Sequence, residues 1–162
     1  MANVRIRKAR PDDVPAIMKL LKVANMHYIP SPEMADLDWH CYFVAMDGDR
    51  LAGFSGYKIL SEVRGKTQLM VVRPAYRRHG IGYRLHERRL RAMAGKGIKK
   101  VVTNADRPET IEWYKKHFGC KQIGKLRKVH EFGDPGMQWW TTLEMDVERW
   151  AAGRAGHGNP RI

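Results

Sequence analysis

One segment, Leu69 to Leu85 (LMVVRPAYRRHGIGYRL), constrains this chain more than any other. An apolar run typical of a buried strand stops at a proline, and a basic loop with glycines at 80 and 82 then leads directly into a helical pattern. Glycine lets the backbone approach a ligand closely, and the first amides of a helix point outward at its positive dipole end. The segment therefore predicts an anion site suited to a pyrophosphate, flanked by Arg77 and Arg78.

Spacing excludes two better-known phosphate loops. Gly65-Lys66-Thr67 resembles the end of a P-loop, but position 60 is leucine where that loop requires glycine, and a strand pattern rather than a helix follows. A dinucleotide fingerprint needs G-x-G-x-x-G, and here Gly80-x-Gly82 is followed by Leu85.

Hydrophobic periodicity predicts the element order β-α-β-β-β-α-β-α-β-β. The predicted strands are Val4–Arg7, Cys41–Met46, Leu51–Leu60, Thr67–Val72, Lys100–Asn104, Lys125–Phe132 and Trp139–Met145. Helices are predicted from Arg10, from Gly80 and from Glu109 to the turn at Phe118-Gly119. This order predicts the α/β (α+β) class, with one mixed, mostly antiparallel sheet of six to seven strands flanked by helices. Residues 1–150 are predicted to form the domain and residues 151–162, rich in glycine, a flexible tail.

Length, composition and charge indicate which broad class of protein the chain belongs to. The 162 residues correspond to one domain, and their content of 43% hydrophobic residues predicts a folded core rather than disorder. No apolar run approaches the ~20 residues of a membrane span, and two cysteines outside any CxxC pair fit a reducing compartment, so we expect a cytoplasmic protein. Ten Lys and Arg and one acid lie between Arg73 and Lys100, which suggests either a polyanionic partner or a solvated helix face.

With its surroundings, the glycine-containing segment resembles the GNAT superfamily of acetyl-CoA-dependent N-acetyltransferases. The family's Arg/Gln-x-x-Gly-x-Gly/Ala loop follows a V-x-P strand end, and here Val72-Arg73-Pro74 precedes Arg77-Arg78-His79-Gly80-Ile81-Gly82. Residues 111–120 (IEWYKKHFGC) resemble the family's A-I-x-x-Y-x-K-x-G-F helix and turn, and the element order matches over residues 3–147. Two positions depart from the pattern. Arg107 stands where the family commonly has asparagine, and the turn after the helix differs in spacing by one residue.

The resemblance implies that strands around 67–72 and 100–104 splay apart and that acetyl-CoA is the co-substrate. The cofactor-binding residues that it implies are Met70, Val71, Val72, Arg77, Arg78, His79, Gly80, Ile81, Gly82, Tyr83 and Asn104. A backbone amide of Val71 or Val72 would polarise the acetyl carbonyl, and Tyr114 would be the general acid that protonates the departing thiolate. An amine would attack the thioester directly in a ternary complex, and no metal is expected.

The acceptor and the general base stay open. The resemblance implies a primary amine, on an amino sugar nucleotide, another small molecule or a protein, and it allows a homodimer. Candidate bases without a distinguishing pattern are Glu33, Asp36, Asp38, His40, Glu62 and His130, and a base acting through water or an amine of low pKa is the alternative. Residues 26–40 and 129–140, with Tyr28, Trp39 and Trp139 among them, are predicted to form the acceptor side.

A second function of a different class is a non-catalytic basic module that binds nucleic acid on a degenerate acetyltransferase scaffold. Such a module needs phosphate contacts spread over a surface and aromatic rings for base stacking. Between residues 73 and 100 the only aromatic residues of that kind are Tyr76 and Tyr83. The intact glycine loop and Tyr114 favour the enzyme, so a nucleic-acid partner is not expected. Because no apolar run is long enough for a membrane span, a membrane partner is not expected either.

Overall fold

The structure is a computed structural model that describes residues 3–24, 37–128 and 133–156, apart from the side chains of 154–156. Within these residues seven strands form one sheet: β1 (Val4–Lys8), β2 (Tyr42–Asp47), β3 (Arg50–Ile59), β4 (Arg64–Val72), β5 (Lys100–Ala105), β6 (Lys121–Arg127) and β7 (Trp139–Asp146). The helices are α1 (Val14–Val23), α2 (Ile81–Gly95), α3 (Pro108–Phe118) and α4 (Val147–Gly156). The strand order is β1-β2-β3-β4-β5-β7-β6, in which β4 and β5 pair in parallel and the other neighbours are antiparallel. The predicted fold class is confirmed.

Helices cover both faces of the sheet. Helix α1 buries Ile17, Leu20 and Leu21 at its helical spacing, and they pack with apolar side chains of β2 and β3 on one face. On the other face α2, α3 and α4 share a second apolar cluster, to which α2 contributes Leu85 and Leu90. The sheet is therefore sandwiched between α1 and the three other helices, as a sheet with two apolar faces requires.

Most predicted elements are present with small shifts at their ends. The Asp47-Gly48-Asp49-Arg50 hairpin is confirmed, since Asp47 pairs with Arg50 and Gly48 has a φ of 61°. The Gly119 helix stop is also found, with a left-handed φ of 63°. The strand predicted at Lys125–Phe132 lies earlier, at Lys121–Arg127, and residues 129–132 are outside the described part of the chain.

Helix α4 crosses the predicted boundary between domain and tail. It runs to Gly156, beyond residue 151. The Asp146 carboxylate accepts from the backbone N–H of Arg149 at 2.9 Å, as an N-cap does, and Val147 is fully buried. Trp150 packs against Phe118 of α3. These contacts, rather than the composition of the segment, hold the first turns of α4 on the domain.

The parallel contact between β4 and β5 is short, and it decides where the sheet opens. Three residue pairs connect the two strands, the last of them Lys66 with Val102. One residue further, the hydroxyls of Thr67 and Thr103 form a buried hydrogen bond. Beyond that bond β4 continues beside β3 and β5 beside β7, so a gap opens between their C-terminal ends.

A β-bulge lies on β4 at the start of this gap. Ser55 of β3 pairs with Met70 and Tyr57 pairs with Thr67, so Gln68 and Leu69 both oppose Gly56. A bulge bends its strand and increases the local twist. It therefore turns the end of β4 away from β5, as the predicted splaying of 67–72 from 100–104 requires.

Replacing Gly56 by alanine is expected to destabilise the fold. A Cβ built on Gly56 would lie 2.4 Å from the Tyr42 ring, which is buried and cannot move freely. Overpacking of this kind costs about 1–3 kcal/mol. Gly95→Ala is the matched control, because no atom of the described residues lies within 4 Å of its Cβ and it ends an α-helix. Urea unfolding should give a lower midpoint for Gly56→Ala and an equal or higher midpoint for Gly95→Ala. Equal midpoints in the two variants would contradict this packing.

Candidate active site

A cavity of about 610 Å³ occupies the gap between β4 and β5. This volume is typical of small-molecule sites. Its walls are the bulged end of β4, the end of β5, the first turns of α3 and the loop at 133–135. Among the residues predicted to bind cofactor or to act as the acid, those that line it are Met70, Val71, Val72, Arg77, Asn104 and Tyr114.

The remaining predicted residues, 78–83, lie in the loop before α2 and in its first turn. Arg78 and Gly80 both have left-handed backbone, with φ of 66° and 76°, and α2 begins at Ile81. Left-handed residues in such a loop turn successive N–H groups toward one side, which forms an anion-binding concavity. The first backbone bond of the helix joins Arg84 N–H to Gly80 O, so the N–H groups of 81–83 precede the helical ladder. The geometry can hold a phosphate group here.

Tyr76 ties this loop to the neighbouring β2–β3 hairpin. Its hydroxyl donates a hydrogen bond to the Asp47 carboxylate at the β2–β3 hairpin. That bond is the main cause that raises the pKa of Tyr76. The Arg50 guanidinium lies over the Tyr76 ring at 5.9 Å from its centroid. The loop is thus tied to a hairpin that precedes it by 29 residues in the chain.

The backbone N–H groups of Val71 and Val72, the two candidates for polarising the acetyl carbonyl, point to different sides of β4. The Arg73 N–H donates to Ala52 O on β3 at 2.8 Å, so position 73 faces β3. In an antiparallel pair the N–H and C=O groups of successive residues point to opposite sides of the strand. The backbone N–H and C=O of Val71 therefore point to β3, and those of Val72 point away from it. Consistent with this, Arg77 Nε donates to Val72 O at 3.2 Å on that open side.

Asn104 lies on the opposite wall, at the end of β5. Thr142 Oγ1 of β7 donates to Asn104 Oδ1 at 2.7 Å. The bond holds the side chain in place through its carbonyl oxygen, and the amide NH₂ is the group that a ligand could use. Arg107, which stands where the resembling family commonly has asparagine, caps α3 and pairs with Glu109 at 3.0 Å.

Tyr114 reaches the cavity from α3 and is 5% exposed. Aromatic rings of α2 and α3 pack around it, with the His86 ring centroid 5.1 Å away and the Trp113 centroid 5.0 Å away. Its hydroxyl oxygen accepts a hydrogen bond from Arg89 Nη2 at 3.1 Å. Arg89 belongs to α2 and is itself 1% exposed. It was not among the predicted site residues, because a basic helix gives no sign of which arginine faces inward.

His86 completes this buried group. Arg89 Nε donates to His86 Nδ1 at 2.8 Å, so the neutral ring carries its proton on Nε2. That Nε2 atom is buried and has no hydrogen-bond partner among the described residues. Burial, followed by the Arg89 charge, lowers the pKa of His86 well below its ordinary value. A protonated His86 could not accept from Arg89, so the hydrogen bond and the neutral state support each other.

An ion pair that was not predicted lies at the other end of the cavity. Lys128 Nζ donates to Asp106 Oδ2 at 2.8 Å, and both side chains are largely buried. The backbone N–H of Asp134 donates to the same Asp106 oxygen at 2.9 Å. Lys128 Nζ also lies 4.4 Å from the centroid of the Trp140 ring. This network holds the loop at 133–135 against the start of α3.

The predicted acceptor side is corrected in part by the structure. Trp140 lines the cavity, whereas Trp139 is 48% exposed with Arg127 over its ring. The described candidate bases, Asp38, His40 and Glu62, do not line it. The carboxylates that do line it belong to Asp106 and Asp134, which were not among the candidates. Asp38 instead bonds His40, which is the main cause that lowers the pKa of Asp38. Tyr28, Glu33, Asp36 and His130 lie outside the described residues.

Most of the basic side chains of segment 73–100 contact other groups of the protein. Seven of its ten Lys and Arg contact protein groups in the structure: Arg73, Arg77, Arg84, Arg88, Arg89, Arg91 and Lys100. Arg84 and Arg88, for example, donate to the backbone carbonyls of Val4 and Ile6 on β1. The concentration of charge therefore has a structural cause and does not by itself require a polyanionic partner.

Neither a metal-binding cluster nor a membrane-spanning helix is found in the described ranges 3–24, 37–128 and 133–156. No group of three or more His, Cys, Asp or Glu side chains there could hold a metal ion. No helix in that part of the chain is long and apolar enough to cross a membrane.

The sequence model of the acetyltransferase (GNAT) family matches residues 14–120, about two thirds of the 162-residue chain. The match includes β4, the glycine loop, α2, β5 and α3, and so Tyr114 and every residue predicted to bind the cofactor. A comparison with curated protein sequences found no significant match.

Solved structures share the fold at low sequence identity. Ard1 from Thermoplasma volcanium is 18% identical over 89% of this chain and 97% of its own, with a TM-score of 0.73. N-acetylglutamate synthase from Neisseria gonorrhoeae, complexed with coenzyme A and L-arginine, is 18% identical over 90% of this chain and 34% of its own, with a TM-score of 0.69. Arabidopsis thaliana Naa50 in complex with the bisubstrate analogue CoA-Ac-MVNAL is 17% identical over 88% of this chain and 98% of its own, with a TM-score of 0.67.

The neutral state of His86 predicts a loss of stability in acid. Because burial lowers its pKa in the folded protein, the unfolded chain binds the proton first, and stability falls as the pH drops below the unfolded value of about 6.5. Between about pH 7.5 and pH 5.5 this contributes about 1 kcal/mol. His86→Gln should reduce the change in urea midpoint over that range, since glutamine can accept from Arg89 without titrating. The control His79→Gln removes an exposed ring and should leave the change as in the parent. Identical pH dependence in both variants would contradict a neutral, buried His86.

Proposed function

This chain belongs to the acetyltransferase (GNAT) family, and we propose that it transfers the acetyl group of acetyl-CoA to a primary amine by direct attack in a ternary complex. The observation that carries the proposal is the cavity between the parted strands β4 and β5, which is lined both by the outward-facing backbone of β4 and by Tyr114. The loop with Arg78 and Gly80 opens at the N-terminus of α2, beside the end of β4.

Each part of acetyl-CoA has residues that can hold it. The N–H groups of 81–83, at the positive end of the α2 dipole, would bind the pyrophosphate, and Arg77 and Arg78 would supply charge-assisted bonds. The exposed edges of β4 and β5 would pair with the amide groups of the pantetheine, since their peptide groups in the gap have no partner among the described strands. Asn104 offers an amide donor on the β5 wall.

The reaction needs a donor for the carbonyl oxygen and a proton for the leaving sulfur. The Val72 N–H faces the gap and would bind the developing oxyanion. The Tyr114 hydroxyl would give its proton to the departing thiolate. Its oxygen is already held by Arg89, so the O–H bond is directed away from that donor. The amine nitrogen forms the new amide bond as the thioester C–S bond breaks.

The amine must be neutral to attack, and this requirement favours one acceptor class. At about pH 7 the deprotonation of a lysine side chain costs about 4–5 kcal/mol, and that of an α-amino group about 1 kcal/mol. The Asp106 carboxylate, which lines the cavity, already accepts from Lys128 and from the Asp134 amide. An α-amine of an amino acid or a peptide is therefore the acceptor that this site supports best. Two structural neighbours are associated with such compounds, one as an N-acetylglutamate synthase and one through its CoA-linked peptide analogue.

The alternative function, nucleic-acid binding without catalysis, has less support. It depends on the basic segment 73–100, and seven of the ten cations there contact protein groups. A cytoplasmic location and a homodimer stay predictions.

Acetyl-CoA is expected to stabilise the protein, and a charge in the loop is expected to abolish the effect. At about 100 times its Kd a ligand adds about 2.7 kcal/mol, which for a chain of this size raises the melting temperature by about 5–10 °C. Gly80→Glu places a carboxylate at the anion site and should remove the shift. Gly97→Glu is the control, because Gly97 has a similar φ of 85°, has no described atom within 4 Å of its Cβ, and lies beyond the opposite end of α2.

The control should keep its shift with acetyl-CoA, although both variants carry the same kind of strain and the same charge. If Gly80→Glu responds to acetyl-CoA as the parent does, the loop does not bind the pyrophosphate. A shift with a short DNA duplex, salt-sensitive and in place of one with acetyl-CoA, would favour the alternative function.

Tyr114→Phe is expected to slow acetyl transfer while leaving acetyl-CoA binding intact. Loss of a general acid reduces turnover by about 10²–10⁴-fold. The assay measures the release of the CoA thiol from acetyl-CoA with a panel of amines. These are glutamate, the peptide Met-Val-Asn-Ala-Leu, Nα-acetyl-lysine methyl ester, in which only the side-chain amine is free, an amino sugar nucleotide and spermidine. The α-amines should give the highest kcat/KM in the parent. A Tyr114→Phe variant that turns over as fast as the parent would show that another group supplies the proton.

A further inference from the structure

Arg89 is a buried cation without a carboxylate partner in the part of the chain that the structure describes. Its side chain is 1% exposed, and no salt bridge of the described residues includes it. Burying an uncompensated charge is expensive, and apolar residues of similar volume are usually at least as stable at such a position. Leucine or methionine would fit the apolar inner face of α2, which already holds Leu85, Leu90 and Met93. A role beyond stability is therefore needed to explain an arginine here.

Four directed hydrogen bonds hold the guanidinium. Nη1 donates to Gly56 O at 3.1 Å and to Gln68 O at 3.3 Å. These two carbonyls belong to the β-bulge, where Gly56 faces two residues of β4 and the regular ladder is interrupted. Nε donates to His86 Nδ1 at 2.8 Å. The fourth bond, from Nη2, goes to Tyr114 Oη at 3.1 Å.

The bond to Tyr114 has a direct consequence for proton transfer. A hydroxyl that accepts from a cation uses a lone pair, so its own proton is free to be donated elsewhere. The cation also stabilises the phenolate that remains after the proton has left, because the low dielectric of a buried site strengthens the attraction. His86 is the other titratable group that packs against Tyr114, and it stays neutral as an acceptor from Arg89. Arg89 is thus the one cation in contact with the Tyr114 oxygen among the described residues.

We propose that Arg89 is a positioning residue that holds Tyr114 in the donor orientation, and that it fixes this acid relative to the bulge of β4. This inference rests on the proposed function, since it takes Tyr114 as the acid. In the step concerned, the C–S bond of the thioester breaks, the amine forms the C–N bond, and sulfur takes the proton of Tyr114. The phenolate, held by Arg89, then recovers a proton from solvent, which also takes up the proton that the amine loses.

A double-mutant cycle in turnover tests whether Arg89 acts through Tyr114. Four proteins are compared: the parent, Arg89→Met, Tyr114→Phe and the double variant. The substrates are acetyl-CoA and the amine of the panel with the highest kcat/KM. Arg89→Met should lower kcat by about 10-fold or more when Tyr114 is present and by less than about 2-fold when phenylalanine replaces it. The KM for acetyl-CoA should change by less than about 3-fold.

A second pair of variants keeps the test valid if Arg89→Met folds poorly. Arg89→Lys keeps the charge without the planar fork, and it should recover part of the kcat lost in Arg89→Met. Arg91→Met is the matched control, because Arg91 lies on the same helix, is exposed and pairs only with Glu87 among the described residues. It should leave kcat unchanged. Melting temperatures of all variants identify any that are unfolded at the assay temperature, and the cycle is then run with Arg89→Lys.

The outcomes separate the inference from the proposed function. An equal loss of kcat in the tyrosine and phenylalanine backgrounds, with Tyr114→Phe itself slow, would overturn the positioning role and leave Tyr114 as the acid. Loss of acetyl-CoA binding by Arg89→Met in proportion to kcat would overturn the positioning role as well. A Tyr114→Phe variant as fast as the parent would overturn the acid assignment and the inference together. A parent without turnover on any amine would overturn the proposed function.

Discussion

The short parallel contact between β4 and β5 is the constraint on which the rest of the site depends. Three residue pairs join the strands, and after Lys66 and Val102 each strand keeps only its other neighbour in the described sheet. Unpaired peptide groups inside a protein are costly unless they face water or a ligand. Arg77 and Arg89 each donate to one β4 carbonyl beyond the paired positions, at Val72 and Gln68, and the Val72 N–H faces the cavity. The Thr67–Thr103 hydroxyl pair lies where the gap begins, one residue beyond the last paired positions of the two strands.

Helix packing then determines which side chains reach that cavity. Helices α2 and α3 lie on the same face of the sheet and meet through aromatic rings, which places Tyr114 of α3 beside Arg89 of α2. At the other end, Lys128 and Asp106 hold the loop at 133–135 against the start of α3. Helix α3 is thus held by Arg89 at Tyr114 and by the Lys128–Asp106 pair just before its first turn. The cavity in this chain has rigid side walls rather than walls made of surface loops alone.

Local patterns in the sequence predicted most helices and strands. The features that were not predicted depend on contacts between residues far apart in the chain. The strand, proline, glycine loop and helix around 69–85 follow each other directly, so their order alone locates the loop. Arg89 could not be separated from its neighbours Arg88 and Arg91, because burial depends on how α2 rotates against the bulge. Asp106 gave no signal either, since its partner Lys128 is 22 residues away. Helix α4 was missed because the glycines of segment 151–162 favoured a tail, whereas the burial of Val147 and the packing of Trp150 on Phe118 are tertiary contacts.

The bulge on β4 influences the position of two groups proposed to take part in the reaction, the Val72 amide and the Tyr114 hydroxyl. The extra residue changes which backbone N–H groups of β4 point into the gap. In the register that follows Leu69, the N–H of Val72 points into the gap and the N–H of Val71 points to β3. The same bulge frees the carbonyls of Gly56 and Gln68, and Arg89 binds both while it holds Tyr114. The guanidinium thus connects the carbonyl oxygens of both bulged strands to α3. The bulge therefore bears on both proposed groups: its register turns the Val72 amide, which would receive the oxyanion, toward the gap, and Arg89 connects it to the Tyr114 hydroxyl, which would protonate the sulfur.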